Sequence, residues 1–146
     1  MTNDVSLVKL PKPLDIEKVK DYVFPICLPN KDISVNESKC IATGWGKTGV
    51  LDQGSEKLLQ IHSPIVPLNK CQLTYGLATK DQICSGDDQH TVCNGDSGGP
   101  LQCINSNGGM TIQGIVSYGS TFCDQFAVYT RVENYLGWIN NIMNQN

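Results

Sequence analysis

Along most of this chain apolar and polar residues alternate in short runs, the two-residue period of half-buried strands. Val5-Ser6-Leu7-Val8-Lys9-Leu10 sets Val5, Leu7 and Lys9 on one side, ends at Pro11, and predicts a strand. Cys40 to Gly46 predicts another, closed by Gly44-Trp45-Gly46. Glu56 to Val66 predicts a longer one, cut by Pro64 and Pro67. Further strands fit at Gln82–Cys84, Pro100–Ile104, Met110–Tyr118 and Phe126–Arg131. Four prolines among charged residues make 11–29 an extended surface linker, and Leu68–Tyr75 suits one or two helical turns. The period changes only at the end, where Val132, Tyr135, Leu136, Ile139, Ile142 and Met143 form one helical stripe. Short strands at this spacing, punctuated by Gly and Pro, predict a β-barrel or sandwich.

Composition narrows the class. A chain of 146 residues, 40% hydrophobic and 17% charged, suits one compact, turn-rich domain. A net charge of -3 gives no phosphate-neutralising surface, so nucleic acid is excluded as a partner. No apolar run approaches the roughly 20 residues of a membrane span. Seven cysteines occur without a C-x-x-C pair or a Cys/His cluster, which points to disulfides in an oxidising compartment rather than a metal site. The sequon Asn36-Glu37-Ser38 agrees with a secretory route. Two features sit awkwardly with it. Met1-Thr2-Asn3-Asp4 opens without a charged and apolar leader, and the odd cysteine count leaves one thiol without a partner in the chain.

The chemistry concentrates in Cys93-Asn94-Gly95-Asp96-Ser97-Gly98-Gly99-Pro100-Leu101. Three glycines around one serine force a tight turn with little bulk beside the hydroxyl. The amides of Gly95 and Ser97 can then converge on one point, as an oxyanion hole requires. A glycine-rich turn that happens to contain Asp-Ser is the bland alternative. The full stretch resembles the nucleophile loop of the chymotrypsin-like serine proteases. Other segments resemble that family in its own order. Asn3 to Leu10 is similar to the segment holding the catalytic aspartate, which would be Asp4, and Phe24 to Pro29 is similar to the interdomain connector. Cys40 to Gly46 resembles the first strand of the second barrel, Gly114 to Gly119 the substrate-binding strand, and Val128 to Val132 the approach to the terminal helix.

The resemblance implies an all-β chain: the second antiparallel barrel of a double-barrel fold, six-stranded over roughly 32–131, with a C-terminal helix. Residues 1–31 would be the last strand of a missing first barrel plus the linker, and 32–146 the second barrel and helix. It implies a serine endopeptidase that needs no cofactor or metal. Ser97 is the nucleophile, Gly95 and Ser97 supply the oxyanion hole, and Asp4 orients a histidine that acts as base and then acid. Ser117 bonds to Asp4, and Ser117, Tyr118 and Gly119 pair with a polypeptide substrate. Thr91 is the floor of the specificity pocket, with Gly119 and Ala127 as its walls. A neutral floor argues against Lys or Arg specificity and for apolar side chains, and Asp124 could intrude on a shallow pocket.

Two departures bear on activity. The family's histidine precedes its aspartate, yet only three residues precede Asp4. His62 lies in a strand, and His90 in the polar loop 86–91. Asp96 matches a carboxylate that pairs with an ammonium freed by proenzyme cleavage, for which Met1 is no substitute. Without that partner the loop is expected to relax. The family's pairing joins Cys40 to Cys103, Cys71 to Cys84 and Cys93 to Cys123, leaving Cys27 for a partner on an upstream segment. The expected protein is therefore secreted and glycosylated, a truncated endopeptidase inactive alone. The alternative is a non-catalytic homologue acting as a binding or regulatory module.

Overall fold

The computed structural model describes residues 2–76, 78–87 and 89–145, so Met1 lies outside the described residues. Seven strands form one antiparallel sheet: β1 (Val35–Gly44), β2 (Leu59–His62), β3 (Ile65–Val66), β4 (Gln82–Ser85), β5 (Pro100–Asn105), β6 (Met110–Tyr118) and β7 (Ala127–Arg131). Their order is β2-β1-β5-β6-β7-β4-β3. The two edge strands, β2 and β3, are consecutive in the chain and separated only by Ser63-Pro64. They are halves of one strand broken where Pro64 interrupts the ladder. The Ser63 amide donates to the Cys40 carbonyl (2.9 Å), and the Pro64 carbonyl accepts from the Gly86 amide (3.0 Å), so the break joins β1 to the β4 side. The sheet therefore curls back on itself as the expected six-stranded barrel, with the longer Glu56–Val66 strand bent rather than straight.

Helices close the flanks. α1 (Ile16–Val19) is a single turn, α2 (Leu68–Tyr75) is the helix expected there, and α3 (Leu136–Asn144) ends the chain. The terminal stripe begins as a 3₁₀ turn over Val132–Tyr135 before α3 takes over. On β5 burial alternates strictly, with Leu101, Cys103 and Asn105 turned inward. On β7 Ala127, Val128, Tyr129 and Thr130 are all buried. Ala127 and Tyr129 face the barrel interior beside Ile83, Leu101 and Val116. Val128 belongs to a second cluster with Phe126, Cys71 and Cys84 beneath α2.

Three disulfides form, Cys40–Cys103, Cys71–Cys84 and Cys93–Cys123, and Cys27 is free and exposed. Cys40 and Cys103 are register partners on neighbouring strands, so that bridge locks a ladder already in place.

The N-terminal segment departs from expectation. Val5–Leu10 belongs to no strand among the described residues: alternation defines a face but does not by itself make a strand. The linker is not extended throughout. The turn of α1 interrupts it, with Lys18 paired to Asp15 (2.9 Å) and Lys20 to Glu17 (3.2 Å) on its exposed surface. Further on the strap is pinned to β6: the Ile112 amide donates to the Cys27 carbonyl at 3.0 Å.

Candidate active site

The loop from Cys93 to Gly99 turns twice on glycines with left-handed backbone, Gly95 (φ +103) and Gly98 (φ +82). Its amides fall into two groups. Those of Asp96, Gly98 and Gly99 donate to the carbonyls of Cys93 (3.0 Å), Val116 (2.9 Å) and Asp96 (2.8 Å). Those of Gly95 and Ser97 donate to no acceptor among the described residues. Ser97 itself is exposed between them. The turn thus leaves a hydroxyl and two unbonded amides facing solvent.

Asp96 holds the loop from beneath. Its Oδ1 accepts from the Gly46 amide (2.8 Å) and its Oδ2 from the Cys93 amide (3.0 Å). Two charge-assisted bonds offset the desolvation of a half-buried carboxylate, so the loop is held and not relaxed, contrary to expectation. Gly44 and Gly46 make the approach possible. A Cβ at Gly44 would lie 2.0 Å from Asp96 Oδ1, and one at Gly46 would lie 2.5 Å from its Cγ. The strand-closing Gly44-Trp45-Gly46 is therefore a seat for Asp96, a role no local pattern announces.

Asp4 lies 93 positions before Ser97 in sequence but reaches the same strand end. The Ser117 hydroxyl donates to Asp4 Oδ2 at 2.6 Å, and the Thr130 hydroxyl to the Asp4 carbonyl at 2.7 Å. One residue before Asp4, Asn3 adopts φ +57 and accepts from the Tyr135 hydroxyl at 3.0 Å. Val116, next to Ser117, carries both ladder bonds to the serine loop, through Gly98 and Gly99. One strand end thus holds Asp4 and the Ser97 loop side by side. From sequence Thr130 has no site role and Tyr135 only a place in the terminal helical stripe. Nothing local marks them, since their partners are more than a hundred residues away.

The residues expected to form a specificity pocket divide between two places. Thr91 lines a cavity of about 190 Å³ with Asp96, Gly44, Gly46, Lys47 and His90. Gly119 and Ala127 do not line that cavity. They meet each other instead: a Cβ at Gly119 would lie 3.2 Å from that of Ala127, which is buried. Tyr118 pairs with Val128 across the β6–β7 ladder. Asp124 is held in its own loop by the Ser120 hydroxyl (2.6 Å).

Both histidines are engaged elsewhere. His62 Nε2 lies 2.8 Å from the Ser38 carbonyl, so it is hydrogen-bonded rather than simply solvated. His90 Nδ1 lies 3.2 Å from Asp87 Oδ1. The Gln89 amide first, then the amide and ring of His90, hold the Asp87 carboxyl below its usual range. Beneath the loop, burial pushes the Tyr129 phenol up to about 12, with Ser63 opposing and the charge of Asp96 reinforcing.

This arrangement has relatives. The model of the Trypsin family matches residues 1–139. Chymotrypsin-C of Bos taurus is 35% identical over 147 aligned positions, covering 94% of this chain and 54% of that protein. The chain thus spans about half the length of this curated relative. A curled antiparallel sheet, an exposed serine in its glycine turn and these matches lead to one conclusion: the chain belongs to the chymotrypsin/trypsin-like serine protease family.

Proposed function

We propose that this chain is the C-terminal part of the catalytic domain of a secreted serine endopeptidase, and that it cleaves peptides only when a preceding segment supplies the general base. The observation that carries this is the pairing of two unbonded amides around exposed Ser97 with a strand whose Ser117 holds Asp4. Residues 32–146 form the second barrel and helix, and residues 1–31 belong to the first barrel and the connector. Cys27 pairs with a thiol upstream.

In the assembled enzyme Ser97 Oγ attacks the scissile carbonyl while a histidine of the preceding half takes its proton. The amides of Gly95 and Ser97 bind the oxyanion. Asp4 accepts a hydrogen bond from the imidazole, fixes its tautomer and stabilises the imidazolium. The histidine then protonates the leaving amine, and water repeats the sequence to release the acyl group. The backbone of Ser117, Tyr118 and Gly119 pairs with the substrate chain. The buried Ala127 methyl crowds Gly119 and favours an apolar side chain of modest size there, while the neutral Thr91 lines the separate cavity beside Asp96. The cavity beside Asp96 takes an ammonium from a newly cut chain end, adding an ion pair to a carboxylate that amides already hold.

Joining this chain to the preceding half and activating it by cleavage tests the proposal. Hydrolysis of peptides with an apolar residue at the cleavage point is expected, lost on the order of a millionfold with Ser97→Ala. Asp4→Asn is expected to cost about 10⁴-fold. The engagement of both histidines elsewhere favours a second reading, a non-catalytic homologue that binds rather than cuts. An activated assembly with no turnover would select that reading.

A further inference from the structure

The chain contains two Asn-Gly pairs, Asn94-Gly95 and Asn107-Gly108, and all four residues are exposed. Asparagine before glycine is labile, because the glycine nitrogen can close on the side-chain carboxamide carbon with no Cβ to hinder it. That nitrogen must be free of an acceptor, since a hydrogen-bonded N–H keeps its proton and its direction. On this point the pairs differ. The Gly108 amide donates to the Asn105 carbonyl at 2.9 Å, closing the turn between β5 and β6. The Asn105 side chain holds the same turn, accepting from the Asn107 and Gly109 amides, both at 3.0 Å. The Gly95 amide donates to no acceptor among the described residues.

The serine loop adds to the contrast. The Lys47 amide donates to the Asn94 carbonyl at 2.9 Å, which draws electron density from the Asn94–Gly95 peptide group and acidifies the Gly95 N–H. Gly95 is also obligatory: its backbone is left-handed (φ +103), and a Cβ there would lie 3.1 Å from Gly46 Cα. The turn that frees the amide thus demands the residue that leaves Asn94 unprotected. We infer that Asn94-Gly95 is a site of spontaneous succinimide formation and deamidation, an off-switch built into the serine loop. The Gly95 nitrogen gives its proton to hydroxide and attacks Asn94 Cγ. The N–Cγ bond forms and the bond from Cγ to Nδ2 breaks. Ammonia leaves with a proton from water, which regenerates the hydroxide. Water then opens the ring at either carbonyl, giving aspartate or isoaspartate at position 94. The imide has no N–H at Gly95, and isoaspartate adds a methylene to the backbone beside it. Both opened products put a new carboxylate where negative charge develops during acyl transfer.

The effect on cleavage rests on the reading of Gly95 as an oxyanion donor, whereas the modification does not. The folded, disulfide-bonded chain is incubated at mildly alkaline pH and raised temperature, then analysed by peptide mapping with isoaspartyl methyltransferase labelling. Asn94 is expected to convert several-fold faster than Asn107. In the reduced, guanidinium-unfolded chain the two should convert at similar rates. Asn94→Gln should abolish the fast product and leave the slow one, with circular dichroism establishing that the variant is folded. Equal rates in the folded chain, faster conversion at Asn107, or an Asn94 that survives while the unfolded chain reacts overturns the inference. In the enzyme assembled with its preceding half, conversion should lower turnover by about 10²–10³-fold, and Asn94→Gln should resist the same incubation. Turnover that persists while Asn94 converts overturns the off-switch. An assembly without turnover from the start counts against the proposed endopeptidase alone, since mapping decides the chemistry at Asn94.

Discussion

The seat of Asp96 has almost no tolerance for added atoms. Gly44→Ala places a methyl group within bonding range of a carboxylate that is itself held by two amides, so either the loop or β1 must shift. A loss of about 1–3 kcal/mol in unfolding free energy is expected, measured by urea titration. Gly137 gives the contrast, being exposed in α3 with nothing within 4 Å of an added Cβ. Gly137→Ala should stabilise the chain by about 0.5 kcal/mol in the same assay, because Ala loses less backbone entropy in a helix. Tyr129 makes a second prediction at this scale. Its folded pKa of about 12 lies above the unfolded value of 10.0, so the fold favours the protonated phenol. That contribution is fully present below pH 10 and is lost as pH rises through about 12. Absorbance titration at alkaline pH should show Tyr129 as the last of the five tyrosines to ionise, after Tyr75, which burial also raises, and Tyr129→Phe should remove that last phase. Single residues differed in how far sequence exposed them. Ser97 was legible because glycines crowd around it. The seat at Gly44 and Gly46 was not, because it depends on a carboxylate some fifty positions away.

Elements follow the same rule of local and distant causes. β5 and β6 were found from alternation, since one face meets the barrel interior and the other does not. β4 and β7 are buried on both faces because α2 covers their outer side, and there buried polar residues, Gln82, Ser85 and Thr130, break the apolar alternation. β1 starts at Val35, five residues before the expected Cys40, because pairing with Asn105 extends the ladder beyond a bulge. Val5–Leu10 has the alternation but forms no strand among the described residues. The disulfides should stabilise unequally. Cys40–Cys103 spans 63 residues and Cys71–Cys84 spans 13, and loop-closure entropy grows slowly with span. Replacing the longer bridge with two alanines should cost about 4 kcal/mol, and the shorter about 3. Urea unfolding of both variants checks the order. Equal losses would mean that packing beneath α2, rather than loop closure, dominates at Cys71–Cys84.

The sheet curls into a half-barrel and leaves one flank of the molecule uncovered. Val8, Tyr22 and Phe24 each leave at least 80% of their surface in solvent, along a segment with no strand of its own. Bovine Chymotrypsin-C, which this chain resembles, extends to nearly twice its length. Asp4 also stands exposed, with Ser117 on one carboxylate oxygen and its remaining lone pairs open. These features fit the proposed division of the site, in which Ser97, the amides of Gly95 and Ser97, and Asp4 would act with a base supplied by a preceding segment. The most direct test is fluorophosphonate labelling of the folded 146-residue chain beside its Ser97→Ala variant. The account predicts indistinguishable, background labelling of the two, because neither His62 nor His90 is free to activate Ser97. Robust labelling of Ser97 in the isolated chain would contradict it and place a general base inside this sequence.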